Sequence, residues 1–347
     1  EGEVQGSDVA AHSTGILDIK TTILPNADAL FLTAIDKYGH ELWRWTFPVD
    51  KLNQTNEVFS PLSGKATYSE TENELTVKAK NHTFIFSKRD GQLKGVSVNN
   101  HKISFANGPR FIGARRADRS LDQFYNHDDE KAKEKDRTYS EFPDAAVFTK
   151  LEVKEDGGNL IVTANYKLGN LDKAQWTINP NGEAALDYTY NFSGVVDLIG
   201  ISFDYPEDQV ISKRWLGAGP YRVWQNRIHG TQYDVWENDY NDPIPGETFT
   251  YPEFKGYFDS VSWMNIRTKE GTISLTNETP DSYIGVYQPR DGRDRLLYTL
   301  PESGISVLDV IPPVRNKVNS TDLCGPSSQP KWVNGPQTGR IIFRFME

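Results

Sequence analysis

Residues 215–241 read WLGAGPYRVWQNRIHGTQYDVWENDYN. Gly217, Gly219 and Pro220 at its start predict a tight turn, since glycine tolerates positive φ and proline presets the next bend. Behind that turn Trp224, Trp236, Tyr221, Tyr233 and Tyr240 interleave with Arg222 and Arg227 and with Asp234, Glu237 and Asp239. Flat apolar rings with polar tips, set beside guanidinium and carboxylate groups, suit a sugar, which offers C–H faces for stacking and hydroxyls for charged hydrogen bonds. The same stretch also reads as a twisted hairpin that packs its aromatics into an ordinary β core, and on its own it does not choose between the two.

On both sides of this stretch the pattern has period two. Short alternating runs at 16–23, 29–35 and 41–47 predict three strands, separated by Pro25-Asn26-Ala27-Asp28 and Lys37-Tyr38-Gly39-His40. Three strands do not close an immunoglobulin-like sandwich, which takes about seven. Residues 1–58 therefore read as a partial immunoglobulin-like β segment, and Ser60-Pro61-Leu62-Ser63-Gly64 as a linker. From 65 to 347 strands are expected at 74–79, 83–87, 93–98, 146–153, 159–168, 174–178, 184–192, 198–205, 260–268, 271–277, 282–286, 305–312 and 339–345. Asp-Gly or Asn-Gly at 90–91, 156–157, 181–182 and 291–292 punctuates them as hairpin turns. Residues 128–137, the best helical candidate, are charged all round and read as a solvated loop. So many strands do not lie in one flat open sheet, so the expected fold class is all-β, with two large stacked antiparallel sheets.

Composition narrows the function. The chain has 347 residues, 12% of them aromatic and 25% charged, which is the balance of a globular protein. A formal net charge of −10 argues against a nucleic-acid partner, which would want a basic face. Neutral glycans make no such demand. The single cysteine, Cys324, excludes an internal disulfide and a cysteine-based metal cluster, and leaves the compartment unassigned; periplasmic or extracellular placement is favoured over cytoplasmic. No apolar run reaches the roughly 18 residues of a membrane span, so no membrane partner is expected.

Several motifs together carry a resemblance. WLGAGPYRVWQNR (215–227) resembles a Trp-x-Gly-x-Gly-Pro signature, followed seven residues later by Arg, in the last domain of glycoside hydrolase family 2 β-galactosidases. YPEFKG (251–256) is similar to that domain's Pro-x-Glu-x-Gly stretch, IFSKRDGQLKGVSVNN (85–100) to its opening hairpin, and GPRFIGARRADRS (108–120) to an Arg-rich segment leading into an active-site loop. DLCGPSS (322–328) resembles the family's Asp-x-Trp-Gly-Pro, and ADALFLTAIDKYGHELWRWTFPV (27–49) the last strands of the preceding immunoglobulin-like domain. The resemblance implies a mutarotase-like supersandwich for 65–347 and the "small chain" region of such an enzyme for the whole.

For chemistry it implies a subtraction. The family's two catalytic glutamates sit in a (β/α)8 barrel upstream, and retaining hydrolysis needs a carboxyl pair roughly 5 Å apart. No alternating βα pattern occurs in this sequence, so no catalytic residue, no metal and no cofactor is expected. The barrel would act as partner, in cis or as a separate chain, and a galactoside-type glycan as ligand. The carbohydrate-contacting residues implied are Trp224, Arg227, Trp236, Arg115, Arg116, Asp322, Cys324 and Trp332. Cys324 stands where the family has its tryptophan platform, and Trp332, eight residues on, is a candidate substitute beside the reading of a core or edge tryptophan. Val223 replaces an acidic residue and Asn226 an aspartate before the matching Arg227, which points to a leaving group other than that of lactose. Arg115, Arg116 and Arg119 beside Asp118 and Asp122 make a network suited to clamping hydroxyls or facing a partner domain. Segments 112–125 and 322–332 are expected on one rim, with 215–236 supplying walls nearby. Two alternatives stay open: a free-standing mutarotase-like epimerase, which would need a histidine among His82, His101, His127 and His229 to meet a glutamate, and a glycan-binding module.

Overall fold

Alternation of apolar and polar side chains builds almost every element observed. The computed structural model describes residues 2–6, 8–20, 27–49, 64–116, 139–239, 256–286, 300–301, 303–314 and 324–347. The chain divides into two units, Glu1–Val58 and Phe59–Glu347.

In the first unit β1 (Ala29–Ile35) pairs antiparallel with β2 (Glu41–Pro48). Their turn is closed by Asp36, whose Oδ1 accepts hydrogen bonds from the backbone N–H groups of Tyr38 and His40, both at 2.8 Å. These donors, His40 first, hold the Asp36 carboxyl below its ordinary pKa. The register sets Leu30, Leu32 and Ala34 opposite Phe47, Trp45 and Trp43, so one face of the hairpin is wholly apolar. Trp43, Trp45 and Phe47 remain 50%, 44% and 49% exposed. The third strand expected at 16–23 is not seen: residues 16–20 carry no strand, and 21–23 lie outside the described residues. Alternation over so few residues does not make a strand without a neighbour to pair with.

The second unit contains β3 (Thr67–Glu70), β4 (Glu74–Ala79), β5 (His82–Ser87), β6 (Leu93–Val98), β7 (His101–Ile103), β8 (Ala106–Arg116), β9 (Tyr139–Glu141) and β10 (Val147–Asp156). They are followed by β11 (Asn159–Lys167), β12 (Leu171–Ile178), β13 (Ala184–Val196), β14 (Leu198–Asp204), β15 (Val210–Gly219) and β16 (Gln232–Asp239). The set ends with β17 (Phe258–Asp259), β18 (Trp263–Thr268), β19 (Gly271–Asn277), β20 (Tyr283–Val286), β21 (Ile305–Val310) and β22 (Lys331–Met346). A nine-stranded sheet runs β10-β11-β12-β13-β22-β19-β18-β15-β16. An eleven-stranded sheet runs β17-β20-β21-β14-β8-β6-β5-β4-β3, with β7 on β6 and β9 on β8. The strand pairings are antiparallel, so the two-sheet antiparallel supersandwich expected from the sequence is what forms. The charged residues 128–137 lie outside the described residues.

Aromatic rings fill the space between the sheets. Phe86 meets Trp176 edge-on at 6.1 Å, Phe105 lies 5.0 Å from Phe343, and Phe203 meets Phe343 at 5.5 Å. Each pair joins a strand or turn on one side to a strand of the opposite sheet. The neighbouring residues on those strands turn away, and on β8 the inward Phe111 is followed by Ile112 and Ala114, which enter a second core with Leu198, Val223, Trp224, Tyr257, Leu308, Ile311 and Val314. The middle of the eleven-stranded sheet is thus covered on both faces, which is why β14 reads as a nearly unbroken apolar run. Asp309 on β21 reaches across the sandwich and accepts a hydrogen bond from Tyr190 on β13. Burial pushes the Asp309 carboxyl up from its ordinary pKa.

Two expectations follow. The two-stranded hairpin, which as an isolated pair is marginal in water, should be the first part of the chain opened by protease. Timed proteolysis with mass spectrometry should release peptides from 27–49 while the sandwich is intact. Asp309 binds its proton more tightly folded than unfolded, so its ionisation opposes folding as pH rises through and above the unfolded carboxyl pKa of about 3.9. Asp309→Asn, which can still accept from Tyr190, should raise the melting temperature near pH 7 and leave it unchanged near pH 3.

Candidate functional site

The aromatic stretch 215–241 divides between scaffold and surface. Trp215, Gly217 and Gly219 lie on β15 and Trp236 on β16, so the expected turn and open aromatic wall are here a strand pair of the nine-stranded sheet. Trp215 is fully buried, with its ring 4.9 Å from Phe258 and its Nε1 donating to the Ala218 carbonyl at 3.0 Å. Gly219 is needed for close approach, because a Cβ there would lie 2.4 Å from the Trp236 ring. Trp236 is half-buried on that glycine and takes its hydrogen bond from within the strand pair, donating to the Gln232 carbonyl at 3.0 Å.

Beyond Pro220 the chain leaves this sheet and covers the outer face of the other one. Val223 exchanges two backbone hydrogen bonds with Tyr257, both 2.8 Å. Gly256 permits that contact, since a Cβ on it would stand 2.4 Å from the Val223 carbonyl oxygen. Trp224 turns inward and meets Tyr257 edge-on at 5.6 Å. Only 1% of Trp224 is exposed, so it offers no open face for stacking, contrary to the expectation from sequence. Its neighbours in the second core, Ile112, Leu198 and Val314, explain why: the outer face of β8 and β14 is apolar and needs a large ring to cover it.

The next two residues form the centre of a polar network. Gln225 Nε2 donates to the carbonyls of Ser327 at 2.8 Å and Gln329 at 2.7 Å. Asn226 pairs with Val314 through both amide atoms, donating to its carbonyl at 2.7 Å and accepting from its N–H at 3.0 Å, and also donates to Ser328 Oγ at 2.9 Å. Arg116 comes in from the end of β8, and its Nη1 donates to the Ser328 carbonyl at 2.7 Å. The same guanidinium lies 3.7 Å from Asp197, whose carboxylate also accepts from the Arg116 backbone N–H at 2.8 Å. Arg116 is 7% exposed and Asp197 not at all, so each charge depends on the other and on hydrogen bonds. Three of the segments singled out by sequence, the Arg-rich 108–116, the signature 215–227 and the Gly-Pro segment 324–328, therefore meet at one place.

The remaining candidates fall around that network or away from it. Arg227 is exposed, with its backbone N–H on the Trp224 carbonyl at 2.8 Å. Arg115 is half-buried, opposite Ser140 in the pairing of β8 with β9. Cys324 is half-buried at the head of the Gly-Pro segment, and Trp332, on β22 opposite Val195, is 70% exposed. Asp322 lies outside the described residues, as do Asp118, Arg119, Asp122 and His127. The expected loop 112–125 is strand as far as Arg116, and 117–125 are outside the described residues. Among the histidines, His82 sits against the Phe345 carbonyl at 2.8 Å, and His101 and His229 are exposed. Among the described residues no group of three or more His, Cys, Asp or Glu side chains is placed to hold a metal, and no helix is long and apolar enough to cross a membrane.

Sequence reasoning missed Asp197, Gln225 and Ser328 and treated Asn226 only as a departure from a pattern. One signal was present: Asp197 interrupts the apolar run Val195, Val196, Leu198, Ile199, and a lone carboxylate in such a run must be buried with a partner.

Residues 78–303 match the sequence pattern of the family described as beta galactosidase small chain. No curated protein matches the chain. Among solved structures, a galactose 1-epimerase from Lactobacillus acidophilus aligns over 82% of this chain and 99% of that one, at 10% identity and a TM-score of 0.45. A GalM/aldose epimerase homologue from C. elegans aligns over 81% and 99%, at 9% identity and 0.37. A galactose mutarotase-like protein from Lactobacillus casei aligns over 81% and 99%, at 12% identity and 0.33.

The division between covered and open tryptophans is measurable by urea unfolding. Trp224→Ala should cost about 3–5 kcal/mol, as for a large ring removed from a core. Trp332→Ala should stay within about 0.5 kcal/mol of the parent.

Proposed function

Since the chain belongs to the beta galactosidase small chain family, we propose that it is a non-catalytic, carbohydrate-contacting part of a β-galactosidase-like glycoside hydrolase. On this reading it completes the aglycone side of an active site whose carboxylate pair comes from a (β/α)8 catalytic domain, in the same polypeptide or in a separate chain. The ligand is a galactoside-type glycan.

The observation that carries the reading is the convergence of Arg116, Gln225–Asn226 and Ser327–Gln329 on one polar network, with Arg227 and Trp332 exposed on the segments it joins. Trp332 offers a flat apolar face to a sugar ring. Several half-buried carboxylates of the sandwich are engaged in ties that hold strands together. Arg340 binds Asp187 at 2.7 Å and Glu278 at 3.0 Å, Arg344 holds Glu183, and Arg110 holds Asp204. A carboxylate held by a guanidinium is a poor general acid, which must keep its proton near neutral pH. These ties therefore disfavour Asp187, Glu278, Glu183 and Asp204 as general acids. The epimerase alternative draws no support from His82, which packs on Phe84 and is bound to a backbone carbonyl.

The chain alone should hydrolyse no aryl β-galactoside, and turnover clearly above buffer would overturn the reading. A half-site forfeits much of a pocket's burial, so titration of galactose against tryptophan fluorescence should give a Kd on the order of 1 mM or weaker, about 4 kcal/mol. Trp332→Ala should weaken that binding further. Micromolar affinity that survives Trp332→Ala would point to a self-contained glycan-binding module instead.

A further inference from the structure

We infer that Gln225 and Asn226 are positioning residues that set the placement of segment 324–329, and through it the sugar-facing rim; the second half of this inference rests on the function proposed above.

The segment is tied internally by Gln329 Nε2, which donates to the Gly325 carbonyl at 3.3 Å. It contains one short 3-10 turn, Pro326–Ser328, preceded by Gly325 at φ 99°. Its internal backbone bonds, Ser328 N–H to the Gly325 carbonyl and Gln329 N–H to the Pro326 carbonyl, close the turn but do not orient it. Orientation comes from outside. Gln225 holds the carbonyls on both sides of Ser328, Asn226 holds the Ser328 hydroxyl, and Arg116 holds the Ser328 carbonyl. Ser328 is fully buried and Gln225 6% exposed, so water does not readily replace a lost donor here. Asn226 also fixes Val314 on the far side of the network, so one amide sets the spacing between 314 and 328. The Gln-Asn pair in turn has no freedom of its own, because Trp224 is wedged into the second core and anchors the preceding backbone. The outcome is a chain of placement from a buried ring, through two amides, to a turn that leads in three residues from Gln329 to the exposed Trp332.

Cys324, the only cysteine in the sequence, heads this segment and makes its placement measurable without reference to sugar. The experiment follows the rate at which Ellman's reagent reacts with Cys324 in the folded full chain, at temperatures well below melting. Gln225→Glu has nearly the same shape but turns carboxylate oxygens toward two carbonyl oxygens, and Asn226→Ala removes the other amide. Ser193→Ala, which loses a hydrogen bond to Asn334 elsewhere along β22, is the control. Labelling should become about tenfold faster in Gln225→Glu and in Asn226→Ala, with the control unchanged. Should Gln225→Glu fail to fold, Gln225→Asn keeps the amide and withdraws it by one methylene, and faster labelling is expected there too. Unchanged Cys324 reactivity in folded variants of both residues would overturn the inference. Galactose titration on the same variants separates the two layers. Weaker binding alongside faster labelling supports both. Faster labelling with unaltered galactose affinity upholds the placement of the segment and overturns its role at the sugar.

Discussion

A carboxylate with no exposed surface, Asp197, is the constraint on which the sandwich turns. It is the single residue between β13, which ends the nine-stranded sheet's run at Val196, and β14, which begins at Leu198 in the other sheet. The chain therefore passes here from one sheet to the other across a single residue. Its backbone N–H bonds the Ala114 carbonyl at 2.9 Å, and its side chain receives the Arg116 N–H, so the corner is tied to β8 through both backbone and side chain. A buried carboxylate is tolerated only with its cation and donors in place, and losing one partner of such a pair typically costs about 3–5 kcal/mol. The ion pair thus does two jobs at once: it fixes where one sheet hands over to the other, and it orients the guanidinium toward the Ser328 carbonyl.

Much of the strand pattern was legible, and the misses have physical reasons. Strands β4, β6 and β19 fall where period-two alternation puts them, and β11 and β13 differ only at their ends. β8 escaped notice because Asn107, Gly108, Pro109 and Arg110 read as turn residues, while the strand is held from both sides by β14 and β6. β16 escaped because it is an edge strand whose residues are mostly half-exposed, so its polar and aromatic side chains lack a clear inward rhythm. β22 extends eight residues before the run read at 339–345, because its pairing with β13 does not require apolar residues at its exposed start.

The candidate site was legible by segment and not by residue. Resemblance drew attention to 108–120, 215–227 and 322–328, and parts of all three meet in space. Within them the eye goes to tryptophan and arginine, since those side chains suit sugars. Burial reassigns several of them: Trp224 is a core wedge, Trp236 a strand residue packed on Gly219, and Arg116 a structural cation. The residues that assemble the place are amides and a serine, Gln225, Asn226 and Ser328, whose types are common in any loop. Nothing in a sequence marks an amide as buried. Only the neighbours that strip it of water do so, and those neighbours come from segments about a hundred residues away.

The position of β22 bears on the order in which the nine-stranded sheet can close. β22, which follows every other described strand in sequence, lies in the middle of the nine-stranded sheet, between β13 and β19, with Ala184 opposite Phe343 and Ile273 opposite Phe345. Until it is made, β10 to β13 and the group from β19 to β16 have no strand to join them, and each presents an open edge along its long side. The growing chain must hold two half-sheets apart and unpolymerised while the intervening residues are translated, with contacts of such long range that closure is intrinsically slow. Loss of β22 would accordingly leave two sticky ribbons in place of one slightly smaller sheet.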